Sequence, residues 1–131
     1  MAKRGDWARV GEFIQKNESP GQPILVFTTF DALALPYHYK GVNRVVPDNR
    51  SFDFITPQFK PGTIDSLREE TAFAISEIPP ESEKVWVVVN EKCFAGEACT
   101  PLQTWVQENY TIDIEKDFYY ERVYLLSRKQ Q

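Results

Sequence analysis

The chain has 131 residues, 42% of them hydrophobic and 26% charged, and its formal net charge is -4 at pH 7. This composition is typical of a globular protein, and the length predicts one domain over residues 1–131. The negative charge argues against a nucleic-acid partner, and no stretch approaches the ~18 consecutive apolar residues of a membrane span.

Two helices and two strands are predicted in the first half of the chain. The first helix begins after Asp6, a capping residue, and runs to about Asn17, because its apolar residues recur at steps of three and four. Residues 23–28 form a continuously apolar strand. A short helix over 31–40 and a short strand over 43–47 follow.

The most strongly patterned stretch is Lys84–Asn90, where valine and tryptophan side chains follow one another without a polar break. Such a run is typical of a central strand with both faces covered by helices. A helix is predicted from Ser66 before it, and another from Thr100 after it. Residues 110–115 alternate as a half-exposed strand does, and 123–127 form the final strand.

This order of elements predicts a three-layer α/β sandwich of the Rossmann-like type. Its mainly parallel sheet has about five strands, with the last strand antiparallel and helices on both faces. We expect strand 23–28 to lie between 43–47 and 84–90, because the two continuously apolar strands need neighbours on both sides. The terminal pair then lies beyond 84–90.

The carboxyl ends of the two apolar strands form the predicted ligand site. In sheets of this kind, ligands bind where the strand order reverses. Thr28, Thr29 and Asp31 follow one strand, and Asn90 and Glu91 end or follow the other. These groups could hold a small polar ligand such as a sugar. In the alternative, Asp31 caps its helix and Glu91 is solvated.

No cofactor or metal is expected. The turn after strand 23–28 has no glycine that would let a pyrophosphate approach the backbone, and the one histidine and two cysteines match no zinc spacing. Tyr37, His38 and Tyr39 form an aromatic trio that could stack on a sugar ring. The alternative is that the aromatic residues pack in the core, with the histidine packed or half-exposed and not a catalytic base.

Cys93 and Cys99 are the only cysteines, and both follow the valine-rich strand. A disulfide across so short a loop would add roughly 2 kcal/mol by the chain-entropy estimate. The alternative is two free thiols, which are usual in a cytosolic protein.

Residues 48–62 are predicted to form a docking loop. Phe52, Phe54 and Phe59 lie among charged and polar residues, so the loop cannot enter the core without burying charges. We expect some of these phenylalanines to be exposed until a partner covers them. In the isolated domain this partner is a second copy of the chain. The alternative is that all three pack on the domain's own sheet edge.

Several stretches together resemble the region that follows the membrane helices in bacterial glycosyltransferases of the protein-mannosyltransferase-like superfamily. These stretches are Gly5–Trp7, Pro20–Val26, Ala34–Gly41, Phe118–Tyr120 and Arg122–Leu126.

The resemblance implies a non-catalytic accessory domain of an enzyme that takes a sugar from a polyprenyl-phosphate donor. The domain would cover the active site or help to bind the acceptor, with the enzyme's membrane helices as its partner. It would lie on the extracytoplasmic (periplasmic) side, tethered to the inner membrane, which agrees with a Cys93–Cys99 disulfide. No catalytic residue carries over, because the family's catalytic carboxylates lie between its membrane helices. The alternative is a free-standing cytosolic α/β binding module or small enzyme that uses the crevice.

Overall fold

The computed structural model describes residues 6–27, 35–46, 71–90 and 99–129, with only the backbone described for Asn90. The described elements, in chain order, are α1 (Trp7–Asn17), β1 (Ile24–Phe27), a 3-10 turn (Leu35–Tyr37), β2 (Val45–Val46), α2 (residues 71–76), β3 (Lys84–Asn90), α3 (Thr100–Asn109), β4 (Tyr110–Asp117) and β5 (Glu121–Arg128).

The strands form one five-stranded sheet in the order β2-β1-β3-β5-β4. β1 pairs in parallel with β2 and with β3, whereas β5 is antiparallel to both of its neighbours. Helices cover both faces. The predicted α/β class, the mainly parallel sheet of about five strands and the antiparallel last strand are therefore confirmed.

The last strand lies inside the sheet, and the strand before it forms the edge. β5 buries Leu125 and Leu126, which point to opposite faces, so this strand needs neighbours and cover on both sides. β4 is mostly exposed and carries charged side chains, which protect an edge strand from pairing with another chain.

The two faces of the sheet have separate cores, which we call the α1 face and the α3 face. The α1 face contains Val10, Ile14, Ile24, Val26, Leu35, Tyr39, Trp86, Val88, Val123 and Leu125. The α3 face contains Leu25, Phe27, Val46, Ala74, Ile78, Val85, Val87, Val89, Cys99, Leu102, Tyr110 and Leu126.

A β-bulge in β4 changes which side chains share a face. Ile112 is paired with Leu126 and Ile114 with Leu125, so Asp113 is the extra residue between them. A bulge reverses the alternation beyond it. Tyr110 consequently packs on the α3 face and Ile114 on the α1 face, whereas uninterrupted alternation had predicted one face for both.

The segment predicted as a helix over 31–40 is shorter within the described residues. Only Leu35–Tyr37 is helical there, as a single 3-10 turn with Pro36 at its centre. Proline cannot donate a backbone hydrogen bond, so a regular helix is not favoured around it.

α1 packs unusually close to this turn at Gly11. A Cβ atom placed on Gly11 would lie 2.5 Å from the backbone oxygen of His38. The approach therefore requires glycine, and it brings the turn against the helix that covers the α1 face. Among the helices that the structure describes, none is long and apolar enough to cross a membrane.

Candidate functional site

The strand order reverses between β1 and β3. β2 follows β1 in the chain and lies on one side of it, and β3 comes next and lies on the other side. Phe27 is paired with Val89, so the carboxyl ends of these parallel strands finish close to the same level. The next described element after β1 packs on the α1 face, and the next after β3 packs on the α3 face, which is the arrangement in which α/β sheets bind ligands at this edge.

The predicted ligand residues are only partly within the described chain. Asn90 is the final residue of β3, at the carboxyl edge of the sheet, and its side chain is not described. Thr28, Thr29, Asp31 and Glu91 lie outside the described residues. Their role in ligand binding therefore stays a prediction.

A buried carboxylate at the carboxyl end of β3 was missed from the sequence. Glu121 is 3% exposed, and its register partner across the strand pair is Asn90. The backbone N–H of Asp6 donates a long hydrogen bond of 3.4 Å to Glu121 Oε2. The two-residue period of a strand could have predicted this burial. Glu121 is two residues before Val123 and four before Leu125, and both of these lie on the buried α1 face.

The next residue, Arg122, points to the opposite face and is held by acidic neighbours. Its Nε atom contacts Asp117 and lies 3.9 Å from a carboxylate oxygen of Glu115. Hydrogen bonds to Asp117 and then to Tyr124 hold the pKa of the Arg122 guanidinium above its ordinary value. The residue therefore remains charged, with its charge balanced locally.

An open hollow of about 590 Å³ lies at the same edge, next to the start of α1. Carboxylates and cations contribute equally to its lining, and two aromatic side chains complete it: Asp6, Arg9, Lys116, Asp117, Phe118 and Tyr119. Arg9 lies 3.7 Å from the Asp6 carboxylate. In the described ranges, no three His, Cys, Asp or Glu side chains cluster closely enough to hold a metal ion.

The aromatic trio is not brought together as a stacking surface. Tyr37 is 80% exposed and His38 is also exposed, whereas Tyr39 is buried in the α1 face. The Tyr39 hydroxyl donates to the Glu18 carboxylate and accepts a hydrogen bond of 2.8 Å from the backbone N–H of Asn43. Burial, and then this bond to Glu18, raise the pKa of Tyr39 above its ordinary value.

The cysteine and docking-loop predictions fall largely outside the described chain. Cys99 is buried on the α3 face and is disulfide-bonded. Cys93, the other cysteine of the sequence, is not among the described residues, so the pairing stays a prediction. Phe52, Phe54 and Phe59 also lie outside the described residues, and the docking loop remains untested.

No protein-family model matches the chain, and no curated protein matches it. One similar solved structure is the release factor-specific protein-(glutamine-N5) methyltransferase of Alicyclobacillus acidocaldarius, with a TM-score of 0.44 and 12% identity over 95% of this chain and 90% of that chain. Another is the 16S rRNA methylase RmtB, with a TM-score of 0.41 and 12% identity over 92% of this chain and 61% of that chain.

These findings correct the sequence-based family assignment. The similar solved structures are methyltransferases, and the resemblance to a protein-mannosyltransferase-like glycosyltransferase is wrong. The accessory role, the membrane-helix partner and the extracytoplasmic tether followed from that resemblance alone, and they are withdrawn with it. The short motifs that suggested it are explained by the fold, because a capped helix, a turn before a strand and a tight hairpin recur in α/β sheets.

Proposed function

We propose that this chain is a small α/β binding module or enzyme that takes a small polar ligand at the carboxyl ends of β1 and β3. One observation carries the proposal: β1 lies between β2 and β3 and is parallel to both, so the sheet reverses its order at this point. A crevice at such a reversal is where sheets of this architecture bind their ligands.

The chemistry of the ligand is inferred from the residues at this edge. Thr28, Thr29 and Asp31 follow β1 in the sequence, and Asn90 and Glu91 end or follow β3. Hydroxyl, amide and carboxylate groups bind the hydroxyl groups of a sugar through both donors and acceptors. A neutral polyol is favoured over a phosphorylated ligand, because these five positions include two carboxylates and no cation.

The buried carboxylate of Glu121 supports this choice. It lies beside Asn90 in the strand register and is almost fully removed from solvent. A carboxyl group offers oxygen atoms as hydrogen-bond acceptors, and these suit the hydroxyl groups of a polyol.

Backbone amide chemical shifts test the proposal directly. A panel of neutral monosaccharides and disaccharides is titrated into isotopically labelled protein. The proposal expects shifts at Phe27, Val89 and Glu121, at the carboxyl edge, and none at Ile24 or Val85, at the opposite ends of the same strands.

Two substitutions and a control sharpen the titration. Asp31→Asn and Glu91→Gln remove the proposed carboxylates and should weaken a saturable shift by about tenfold each, the loss expected for a charge-assisted hydrogen bond. Glu81→Gln removes an exposed carboxylate before the amino end of β3 and should change nothing. Shifts confined to the amino ends, or equal effects of all three variants, would contradict the proposal.

A further inference from the structure

A groove on the α3 face is separate from the crevice. It encloses about 280 Å³ between α3 and the strands beneath it. Val87 and Val89 of β3 form its floor, and Leu102 and Val106 of α3 form one wall. Its volume is slightly below the roughly 300–1,000 Å³ of most small-molecule pockets, and its apolar walls from two layers are typical of them.

The sheet continues beyond the cover that α3 provides. Ile112 lines the far side of the groove and is 53% exposed, although its register partner Leu126 is fully buried. A half-exposed isoleucine beside a valine floor leaves apolar surface in water. An apolar ligand that fills the groove would remove this surface from water, which is favourable.

One lining residue carries a hydrogen-bond donor. Tyr124 lines the groove, and its hydroxyl accepts a hydrogen bond of 3.5 Å from Arg122 Nη1. No residue in the described part of the chain accepts the Tyr124 hydroxyl proton. A hydroxyl both donates and accepts, so this proton is available to an acceptor on a ligand.

The lining of the groove selects against ions. None of its eight lining residues is charged, so an ionised ligand would lose its hydration without a counter-charge among them.

We propose that this groove binds an uncharged small molecule with an apolar body and one hydrogen-bond acceptor oxygen. The apolar body lies between Val106 and the valine floor, and the oxygen accepts the Tyr124 hydroxyl proton. This site does not depend on the crevice proposal, because it lies on one face of the sheet and the crevice lies at its edge.

Two naphthalene dyes test the charge and acceptor requirements. Prodan is a neutral ketone, and dimethylaminonaphthalene sulfonate is an anion with the same ring system and amino group. The full chain should bind prodan saturably at one site, with its emission shifted to shorter wavelength, and should bind the sulfonate at least tenfold more weakly. Equal binding of both dyes, or no saturable prodan binding, would overturn the proposal.

Variants place the dye in the groove. Gln103 is exposed at the groove's rim, so Gln103→Trp should block the groove without disturbing the core, and prodan affinity should fall at least tenfold. Thr104→Trp adds the same ring at the next exposed position, which is not part of the lining, and should leave affinity unchanged.

A third substitution tests the hydrogen bond. Tyr124→Phe should weaken prodan about three- to tenfold, because one neutral hydrogen bond is lost. Tyr37→Phe, at an 80% exposed tyrosine away from the groove, is its control. Circular dichroism establishes that each variant is folded. Prodan affinity that survives both Gln103→Trp and Tyr124→Phe would show that the dye binds elsewhere.

Discussion

The two faces of the sheet differ in how completely their helices fill the space above the strands. On the α1 face, Phe13 meets Trp86 edge-on with ring centroids 6.1 Å apart, and it meets Phe118 at 5.6 Å. Gly11 brings this helix against the neighbouring turn. On the α3 face, the helix leaves a groove of about 280 Å³ over the valine floor. The comparison teaches that aromatic contacts and a close backbone approach fill the space under α1, whereas the aliphatic side chains beneath and along α3 leave a groove there.

The largest expected difference between the faces is in the unfolding free energy lost when a tryptophan is replaced. Trp86 is fully buried on the α1 face, and its Nε1–H donates a hydrogen bond of 3.0 Å to Gln22 Oε1. Trp86→Ala should lower the free energy of unfolding by about 3–5 kcal/mol. Trp105 is only partly buried on the α3 face, so Trp105→Ala should cost about half as much. Urea denaturation followed by circular dichroism measures both, and equal losses would contradict the comparison.

Two adjacent valines give a matched test within one strand. Val88 is fully buried on the α1 face, and Val89 lines the groove on the α3 face. Val88→Ala should cost about 1.5–3 kcal/mol of unfolding free energy. Val89→Ala should cost closer to 1 kcal/mol, because a side chain beside existing space has fewer dispersion contacts to lose. If the Val89 variant is the less stable of the two in urea, the groove is not open as described.

Gly11→Ala tests the close approach on the α1 face. In an unobstructed helix, this substitution stabilises by about 1 kcal/mol. Here the new Cβ would lie 2.5 Å from the His38 backbone oxygen, and overpacking should cost about 1–3 kcal/mol instead. Glu12→Ala, at the next and exposed position, controls for changes in the helix itself. Thermal unfolding reports the sign, and an increased Tm for Gly11→Ala would refute the contact.

The smallest effect concerns pH. The pKa of Tyr39 is raised by burial and by its hydrogen bond to Glu18, so the folded state favours the neutral hydroxyl. Its contribution to stability is complete below the unfolded pKa of about 10 and is lost progressively as the pH rises above that value. Tyr39→Phe should cost about 1 kcal/mol at neutral pH through lost hydrogen bonding.

The same variant should also flatten the alkaline decline. Urea midpoints at neutral pH and above pH 10 test this expectation, with Tyr37→Phe as the exposed control. A decline as steep in Tyr39→Phe as in the parent chain would assign the pH dependence to other groups.

The sheet was predictable because its central strands have little freedom. The run Lys84–Asn90 has no polar face, so it needs helices on both sides and strands at both edges. The same reasoning placed residues 23–28 beside it. The β4 bulge was not predictable, since Tyr110, Ile112 and Ile114 alternate regularly in the sequence. The bulge depends on pairing with β5, which the sequence of β4 alone does not contain.

The edge of the candidate site was predicted from topology, but its buried carboxylate was not. Asn90 was correctly expected at the carboxyl end of its strand. Glu121 was missed because the last strand was expected to begin at Val123, and charged residues are usually assigned to turns. The structure extends β5 to Glu121, where the register places it beside Asn90. The family assignment failed for a related reason: motifs required by the fold carry little information about function.

The junction between α3 and β4 has a mechanical consequence. Asn109 ends the helix and Tyr110 begins the strand, with no residue between them. The backbone N–H of Lys129 donates a hydrogen bond of 2.8 Å to the Asn109 oxygen and so ties this junction to the end of the neighbouring strand. The α3 wall and the Ile112 side of the groove therefore meet at one corner, and they can move apart only if this corner bends or β4 separates from β5. The width of the groove should therefore be fixed. Molecules that are too thick to fit between its walls should be excluded instead of accommodated.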